Sequence, residues 1–360
     1  MKKHKYSILF GIVLTAFTIY LSLQTFVISE AYQTDATEMN MDLFKTITAD
    51  KGSTQNTQAS DSPAEETSLT GTDSTADAAD AAAESSKNSS QKARPGKKRD
   101  SSGQSSGQSS GSENEVLTET GITDNTYTDE NISITIDEYE VNGTQVYVAD
   151  VTLSSAEYLK TAFAEDTYGR NVTAATSDIA ADHTAILAIN GDNYGSRESG
   201  YVIRNGIVYR SESNGEDVLC IYADGSMQII DSDAYTAEEL AAQGVWQAFS
   251  FGPALVENGE IQVSSEDEVG KAKASNPRTA IGIIDECHYV LVVSDGRTDE
   301  SEGLSLLELA SFMQDLGVTC AYNLDGGGSS TMVFQGQVVN NPTSNGTIRE
   351  RDVNDIIYVS

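Results

Sequence analysis

ISITIDEYEVNGTQVYVADVTL, residues 132–153, alternates apolar and polar side chains on both sides of Asn142-Gly143. A period of two presents one face of a strand to a core and the other to water, and Asn-Gly suits a two-residue type I′ turn, so the stretch predicts a β-hairpin. The same punctuation recurs at Asn205-Gly206 in YVIRNGIVYR, Asp224-Gly225 in VLCIYADGSMQII and Asn258-Gly259 in PALVENGEIQV. Helical signals are fewer. Ser155 to Phe163 reads as one helix, Thr236 to Gln243 opens with a Thr-x-x-Glu capping box to Glu239, and Ser305 to Leu316 repeats the box with Glu308 and stops at Gly317. Antiparallel hairpins with a few inserted helices predict an α+β fold of mainly antiparallel or mixed sheets.

Upstream of this hairpin the composition changes. From about Gln33 to Glu115 the chain is Ser, Thr, Ala, Gly, Asp and Lys, including SSGQSSGQSSG. Such a stretch buries too little apolar surface to offset its ordering entropy and predicts a flexible stalk. KARPGKKR, residues 92–99, is its one basic cluster and reads as a solvated patch. At the start, Lys2, Lys3 and Lys5 precede an uncharged run from Tyr6 to Ile28. At 1.5 Å rise per residue that run is long enough to cross a ~30 Å hydrocarbon core. A cleavable signal peptide ending at Ser29-Glu30-Ala31 competes, but its apolar core is normally ~7–15 residues, so an uncleaved anchor is preferred. The lysines then stay in the cytoplasm. The expected organisation is a cytoplasmic tip and single-pass anchor over residues 1–30, a disordered extracellular linker over 31–115, and a folded domain over 116–360 on the outer face of a cell membrane.

Charge narrows the class of partner. The 360 residues hold 22 Lys+Arg against 55 Asp+Glu, a formal net charge of −33. Eleven basic and 15 acidic residues precede Val116, whereas 11 basic and 40 acidic follow it, so the acidity belongs to the expected folded part. That sign excludes sequence-independent nucleic-acid binding, which needs cations to displace phosphate counterions. Cys220, Cys287 and Cys320 lie in apolar runs or turns without CxxC spacing, which disfavours a disulfide framework or zinc site and favours small buried hydrophobes.

Several loops carry more polar chemistry than a turn requires. In CAYNLDGGGSSTMVF, residues 320–334, an apolar strand ends in Asp325, then Gly326-Gly327-Gly328, then Ser329-Ser330-Thr331. Three glycines remove every Cβ from one point of the backbone and let N–H groups approach an anion, as in phosphate-binding nests. AILAINGDNYG delivers Asn190 and Asp192 at a strand exit, and YVLVVSDGRTD delivers Asp295 and Arg297. SNPRTAIGII places Arg278 at a strand entry. A carboxylate beside a donor-rich cradle suits an anionic, acid-labile substrate such as a sugar phosphate.

NGDNY, PRTAIG, VSDGR followed by a Leu-rich helix, NLDGGGSSTM and the later NNP together resemble the phosphodiester glycosidase family over roughly Ala185 to Ser360. The resemblance implies cleavage between an anomeric carbon and a phosphate oxygen, in bacterial members associated with exopolysaccharide metabolism. Under it, Arg278 and Arg297 form a phosphate clamp, completed by the backbone of Gly326, Gly327 and Gly328 and by Ser329 and Ser330. Asp325 is the essential carboxylate, as base or nucleophile, followed by Asp295 and then Asp192; Asn190 and Asn323 bind sugar hydroxyls or orient the carboxylates. A phosphomonoester is a better leaving group than a sugar alcohol, so the second carboxyl of ordinary glycosidases is less needed. No cofactor is expected. Calcium or magnesium suits the oxygen-rich loops around Asp192, Asp295 or Asp325, but no EF-hand spacing backs it. His183 and His288 are too few and too isolated for a binuclear or two-histidine phosphodiesterase, and no GxSxG elbow occurs. The alternative is a non-catalytic surface module that binds wall or capsule glycopolymer with the same cradle.

Overall fold

The Asn142-Gly143 hairpin forms as its alternation requires. Ile132–Val141 and Thr144–Leu153 pair in register from Ile132 opposite Leu153 to Val141 opposite Thr144, with φ of +49° at Asn142 and +71° at Gly143. The computed structural model describes residues 2–32, 37–38, 121–123, 125–266 and 275–360. The basic cluster at 92–99 and nearly all of the expected stalk lie outside the described residues. Asn205-Gly206 and Asn258-Gly259 turn with both φ positive, whereas at Asp224-Gly225 only Gly225 is left-handed.

The hairpin belongs to a nine-stranded sheet. Its central order runs Ala254–Glu257, Cys320–Asn323, Arg278–Asp285, His288–Ser294, Thr144–Leu153 and Ile132–Val141, each pair antiparallel. Register fixes which ends coincide: Arg278 lies opposite Ser294, and Ala280 opposite Asn323. One strand therefore starts where its two neighbours finish, and the segments around Arg278, Asp295 and Asp325 all emerge at the same edge of the sheet. Leu187–Asn190, Met332–Phe334, Asp355–Val359 and Leu159–Phe163 belong to a five-stranded sheet, and Val202–Arg204, Asp217–Tyr222 and Val245–Phe249 to a six-stranded one. One apolar cluster takes residues from all three, among them Ile134, Ile281, Tyr322, Leu187, Ile357, Leu219 and Phe249.

Both expected capping boxes form, Thr236 with Glu239 and Ser305 with Glu308. The second helix, Leu306–Asp315, packs Leu309 and Met313 on the far face of the large sheet. The expected helix from Ser155 to Phe163 is instead a single 3-10 turn at Ala156–Tyr158 followed by the strand Leu159–Phe163. That strand pairs with Asp355–Val359, nearly 200 positions away. A ladder with a buried, distant partner outweighs the few tenths of a kcal/mol by which local propensity favours a helix. A helix at Thr176–Asp182 was not expected; its N-cap, Ala175, makes no side-chain cap bond and so leaves no local signature. Cys220 and Cys320 are buried thiols, as expected, and burial pushes both up to about 12, whereas Cys287 is only half-buried.

At the N-terminus a helix occupies Lys2–Phe26. Among the described residues no helix is long and apolar enough to cross a membrane. The first residues of the expected linker are also not free: Glu30–Ala31 pair with Gly169–Arg170, and Thr37–Glu38 with Ile207–Val208.

Where the five- and six-stranded sheets meet, Arg204 is 2% exposed. Its guanidinium reaches Asp192 Oδ1 at 2.8 Å and Asp355 Oδ2 at 2.9 Å through Nη2 and Nε, donates to the carbonyls of Ile203 and Ala248, and stacks on Phe249 at 4.2 Å. Two carboxylates share one cation, and Asp355 Oδ1 has no partner among the described residues. Burial first, offset by Arg204 and then reinforced by Asp192, pushes the Asp355 carboxyl from its ordinary 3.8 up to about 7. A group raised on folding stabilises the fold below its unfolded pKa, and that contribution is lost as pH rises through the folded value. The melting temperature should therefore fall between about pH 4 and pH 7 in the native protein. In Asp355→Asn, calorimetry across that range should show this component of the fall missing.

Candidate active site

The edge where three strand ends converge holds a cavity of about 330 Å³, lined in part by Arg278, Arg297, Asn323, Asp325, Gly326, Gly327 and Arg351. Asp325 follows the strand Cys320–Asn323 and is 8% exposed. Its Oδ2 accepts from Arg351 Nη2 at 2.6 Å and Ser329 Oγ at 2.7 Å. Arg351 Nε donates in turn to Ser329 Oγ at 2.8 Å. Both donors converge on one carboxylate oxygen, and among the described residues no donor reaches Oδ1. An ion pair and a hydroxyl at one oxygen hold the carboxylate in a single rotamer, with the other oxygen available to a ligand.

The cations come from three separate elements. Arg278 opens its strand, buried, with Nε donating to the carbonyl of Leu304 at 2.8 Å and its backbone N–H to Ser294 Oγ. Arg297 sits in the loop after His288–Ser294, left-handed at φ +62°. Its Nε and Nη2 both donate to Asn276 Oδ1, at 3.2 and 2.9 Å. Arg351 lies just before the strand Asp355–Val359, and its side chain is 43% exposed. In a domain with so few cations, three guanidinium groups and one carboxylate lining the same cavity leave it a local positive excess suited to a phosphate.

The glycine loop forms the floor. Gly327 has φ +65°, and a Cβ there would lie 2.9 Å from Arg297 Nη2. The loop stays at depth because Gly327 N–H donates to the carbonyl of Pro277 at 2.8 Å. Gly328 and Ser330 are buried beneath it, and the Ser330 hydroxyl has no partner among the described residues. Ser329 is engaged with Asp325, which makes it a support for the carboxylate.

The other sequence candidates lie around the cavity in different roles. Asn190 is fully buried: its Nδ2 donates to the carbonyl of Asp325 at 2.7 Å, and its Oδ1 accepts from Thr279 Oγ1 at 2.9 Å. It ties the two sheets together under the loop. Asn323 lines the cavity, donates to the carbonyl of Gly252 at 2.7 Å, and has an Oδ1 without a partner among the described residues. Asp192 is 1% exposed, with Oδ1 on Arg204 and Oδ2 accepting from Ser250 N–H at 3.0 Å. Both its oxygens are taken, so it braces the sheets and does not line this cavity. Asp295 accepts from Asn340 Nδ2, Asn341 N–H and Asn341 Nδ2 at 3.2, 2.8 and 3.1 Å. It pins the NNP turn and faces a separate cavity of about 570 Å³ beside Tyr147. Burial and the Asp295 charge push the Tyr147 hydroxyl up to about 12. Among the described residues no group of three or more His, Cys, Asp or Glu side chains is placed to hold a metal ion.

Sequence reasoning missed Arg351, Asn276 and Arg204. Arg351 stands in RERD, which has no periodicity and no glycine. Its available signal was scarcity, since it is one of only 11 basic residues after Val116.

Residues 183–360 match the phosphodiester glycosidase family. The SPbeta prophage-derived uncharacterized protein YomE of Bacillus subtilis is 28% identical over 182 residues, covering 49% of this chain and 28% of that protein. The N-acetylglucosamine-1-phosphodiester alpha-N-acetylglucosaminidase of Mus musculus is 33% identical over 109 residues, covering 29% of this chain and 21% of that enzyme. The chain thus spans about a quarter of the length of these curated relatives. The catalytic domain of the zebrafish N-acetylglucosamine-1-phosphodiester alpha-N-acetylglucosaminidase superposes with a TM-score of 0.51 at 21% identity, over 63% of this chain and 82% of that one. At that identity the likeness establishes a shared fold. The phosphodiester glycosidase match contains every residue named above as lining the cavity around Asp325.

Gly327→Ala should cost about 1–2 kcal/mol in stability, the expense of a left-handed Ala. It should also displace Arg297 from the floor, since the tip of that side chain yields more readily than the loop backbone. Chemical denaturation measures the first effect. A titration with inorganic phosphate measures the second, as a Kd raised several-fold.

Proposed function

We propose that this protein hydrolyses glycosyl phosphodiesters, breaking the bond between the anomeric carbon and the phosphate oxygen. The observation that carries the reading is the pairing of one pinned carboxylate, Asp325, with three guanidinium groups, Arg278, Arg297 and Arg351, in one cavity. The family match over residues 183–360 supports the same reaction class. In this reading the arginines hold the phosphate. The Asp325 carboxylate, held in place by Arg351 and Ser329, addresses the sugar through Oδ1. Charge develops on the departing phosphate oxygen as the bond breaks, and preorganised guanidinium groups stabilise it without reorganising. Asn323 Oδ1 offers an acceptor to a sugar hydroxyl. Asp295 and Asp192 act through position, one by holding the NNP turn and the other by holding Arg204.

We further read the N-terminal helix as a membrane anchor, with the domain on the outer face and a cell-surface glycan as substrate. Its support is the uncharged run Tyr6–Ile28 after three lysines, and the exposure of Phe10, Ile12, Leu14, Phe17, Ile19 and Leu21 on all sides of the helix.

Asp325→Asn should lower kcat by about 10²–10⁴-fold while leaving the fold intact, because a carboxylate at the anomeric centre acts in the transition state. Arg278→Lys should instead raise KM about tenfold, ~1.4 kcal/mol, since the phosphate is charged already in the ground state. Steady-state kinetics with a panel of sugar-1-phosphodiesters separates the two. A protein that binds such compounds without releasing sugar would be a glycopolymer-binding module.

Hydrolysis in ¹⁸O-enriched water locates the broken bond. Label should enter the sugar, and mass spectrometry of the products that finds it in the phosphate would exclude attack at carbon.

A further inference from the structure

The edge at Gly169–Arg170 is occupied by the chain's own residues immediately after the N-terminal helix. Glu30 pairs with Arg170 and Ala31 with Gly169. The pairing continues on both sides. Tyr32 N–H donates to the carbonyl of Tyr168 at 2.9 Å, and Ser29 Oγ to the carbonyl of Asn171 at 2.8 Å. Asn171 Nδ2 donates to the carbonyl of Ile28 at 3.0 Å. The Tyr32 ring lies against Tyr168 with centroids 5.1 Å apart, and Arg170 Nε donates to the Tyr32 hydroxyl at 3.2 Å.

Gly169 shows that the domain side is shaped for this strand. A Cβ at that position would lie 2.3 Å from the Glu30 carbonyl oxygen and 2.9 Å from Ala31 Cα. Both are backbone atoms, so no side-chain adjustment could make room. The long Ser/Gly-rich stretch also has both ends on the domain: Thr37–Glu38 add to the six-stranded sheet, and Gly121–Thr123 to the nine-stranded one.

We propose that Ser29–Tyr32 is a docking strand that clamps the domain to the end of the N-terminal helix, so that the effective tether is Val27–Ile28 and the Ser/Gly-rich stretch is not a spacer. This rests on the membrane and phosphodiester readings above and deepens them. With the Ser29–Tyr32 and Thr37–Glu38 pairings both lost, a free linker over residues 31–115 would carry the domain ~50 Å from the bilayer on average and up to ~290 Å at full stretch. A clamped domain keeps every part of itself within about its own diameter, of the order of 45 Å. The substrate class that suits such a site is a glycosyl phosphate esterified to a lipid alcohol, whose scissile bond lies at the headgroup level. Clamping raises the effective concentration of the active site there.

The test uses the full chain in lipid nanodiscs. Gly169→Leu closes the groove from the domain side, and Tyr32→Pro removes the donor and the ring from the strand side without altering the domain. Hydrogen exchange should show the Tyr32 amide protected in the native protein and unprotected in Gly169→Leu, with Asp355–Val359 equally protected in the native protein and both variants. Turnover of a lipid-borne glycosyl phosphodiester, divided by that of its soluble analogue, should fall about tenfold in both variants, with soluble turnover unchanged. A Tyr32 amide that exchanges freely in the native protein, or a ratio that neither variant moves, overturns the proposal. If no phosphodiester is hydrolysed by any of the three, the reaction assignment fails and the exchange data alone decide the clamp.

Discussion

One buried cation, Arg204, is the constraint on which the cavity depends. Asp192 and Asp355 are 1% and 0% exposed, and carboxylates so placed are tolerated only when paired, hydrogen-bonded or neutral. Arg204 supplies the pairing and, by doing so, fixes the turn between them: Gly191 N–H donates to the carbonyl of Asp355 at 2.9 Å. That turn sets Asn190, and Asn190 holds the carbonyl of Asp325. The position of a carboxylate in one sheet is thus determined by an ion pair between two others. Buried networks of this kind transmit small displacements because the packed interior around them has no slack.

The second ingredient is antiparallel register. A strand that begins where its neighbours end collects three loops at one edge without any long connection, and each loop contributes one charged group. Sheet edges of this sort are where polar loops accumulate on a rigid scaffold. Here the scaffold is rigid on both faces, with the shared apolar cluster on one side and the Leu306–Asp315 helix on the other. The cavity groups are held by neighbours that are themselves buried, as Arg278 is by Leu304 and Ser294.

Local chemistry made much of this legible. Asn142-Gly143, Thr236 with Glu239, and Ser305 with Glu308 each specify a turn or a cap through interactions within four residues, and each forms. The glycine loop with Asp325, and Arg278 and Arg297, were also visible because they sit at strand ends where the hydrophobic pattern stops. What was not legible depends on distant partners. Leu159–Phe163 becomes a strand only because Asp355–Val359 lies alongside. Asp192 and Asp295 read as further carboxylates of the site until Arg204 and Asn341 are found against them. Arg351 belongs to no pattern, and only its approach to Asp325 gives it meaning.

Between the strands Met332–Phe334 and Asp355–Val359 the chain makes an excursion that carries Asn340, Asn341 and Arg351, together with a small hairpin of Thr343–Ser344 and Thr347–Ile348. This excursion touches the glycine loop but contributes no strand to the central core beyond the two-residue Gln337–Val338 edge. Apart from Asn340, Asn341 and Arg351, which hold Asp295 and Asp325, its residues can change without disturbing any register of the large sheet. A lineage sharing this scaffold can therefore diverge in what it accepts by rewriting the rest of this excursion, with the carboxylate, the arginine that holds it and the glycine floor left as inherited.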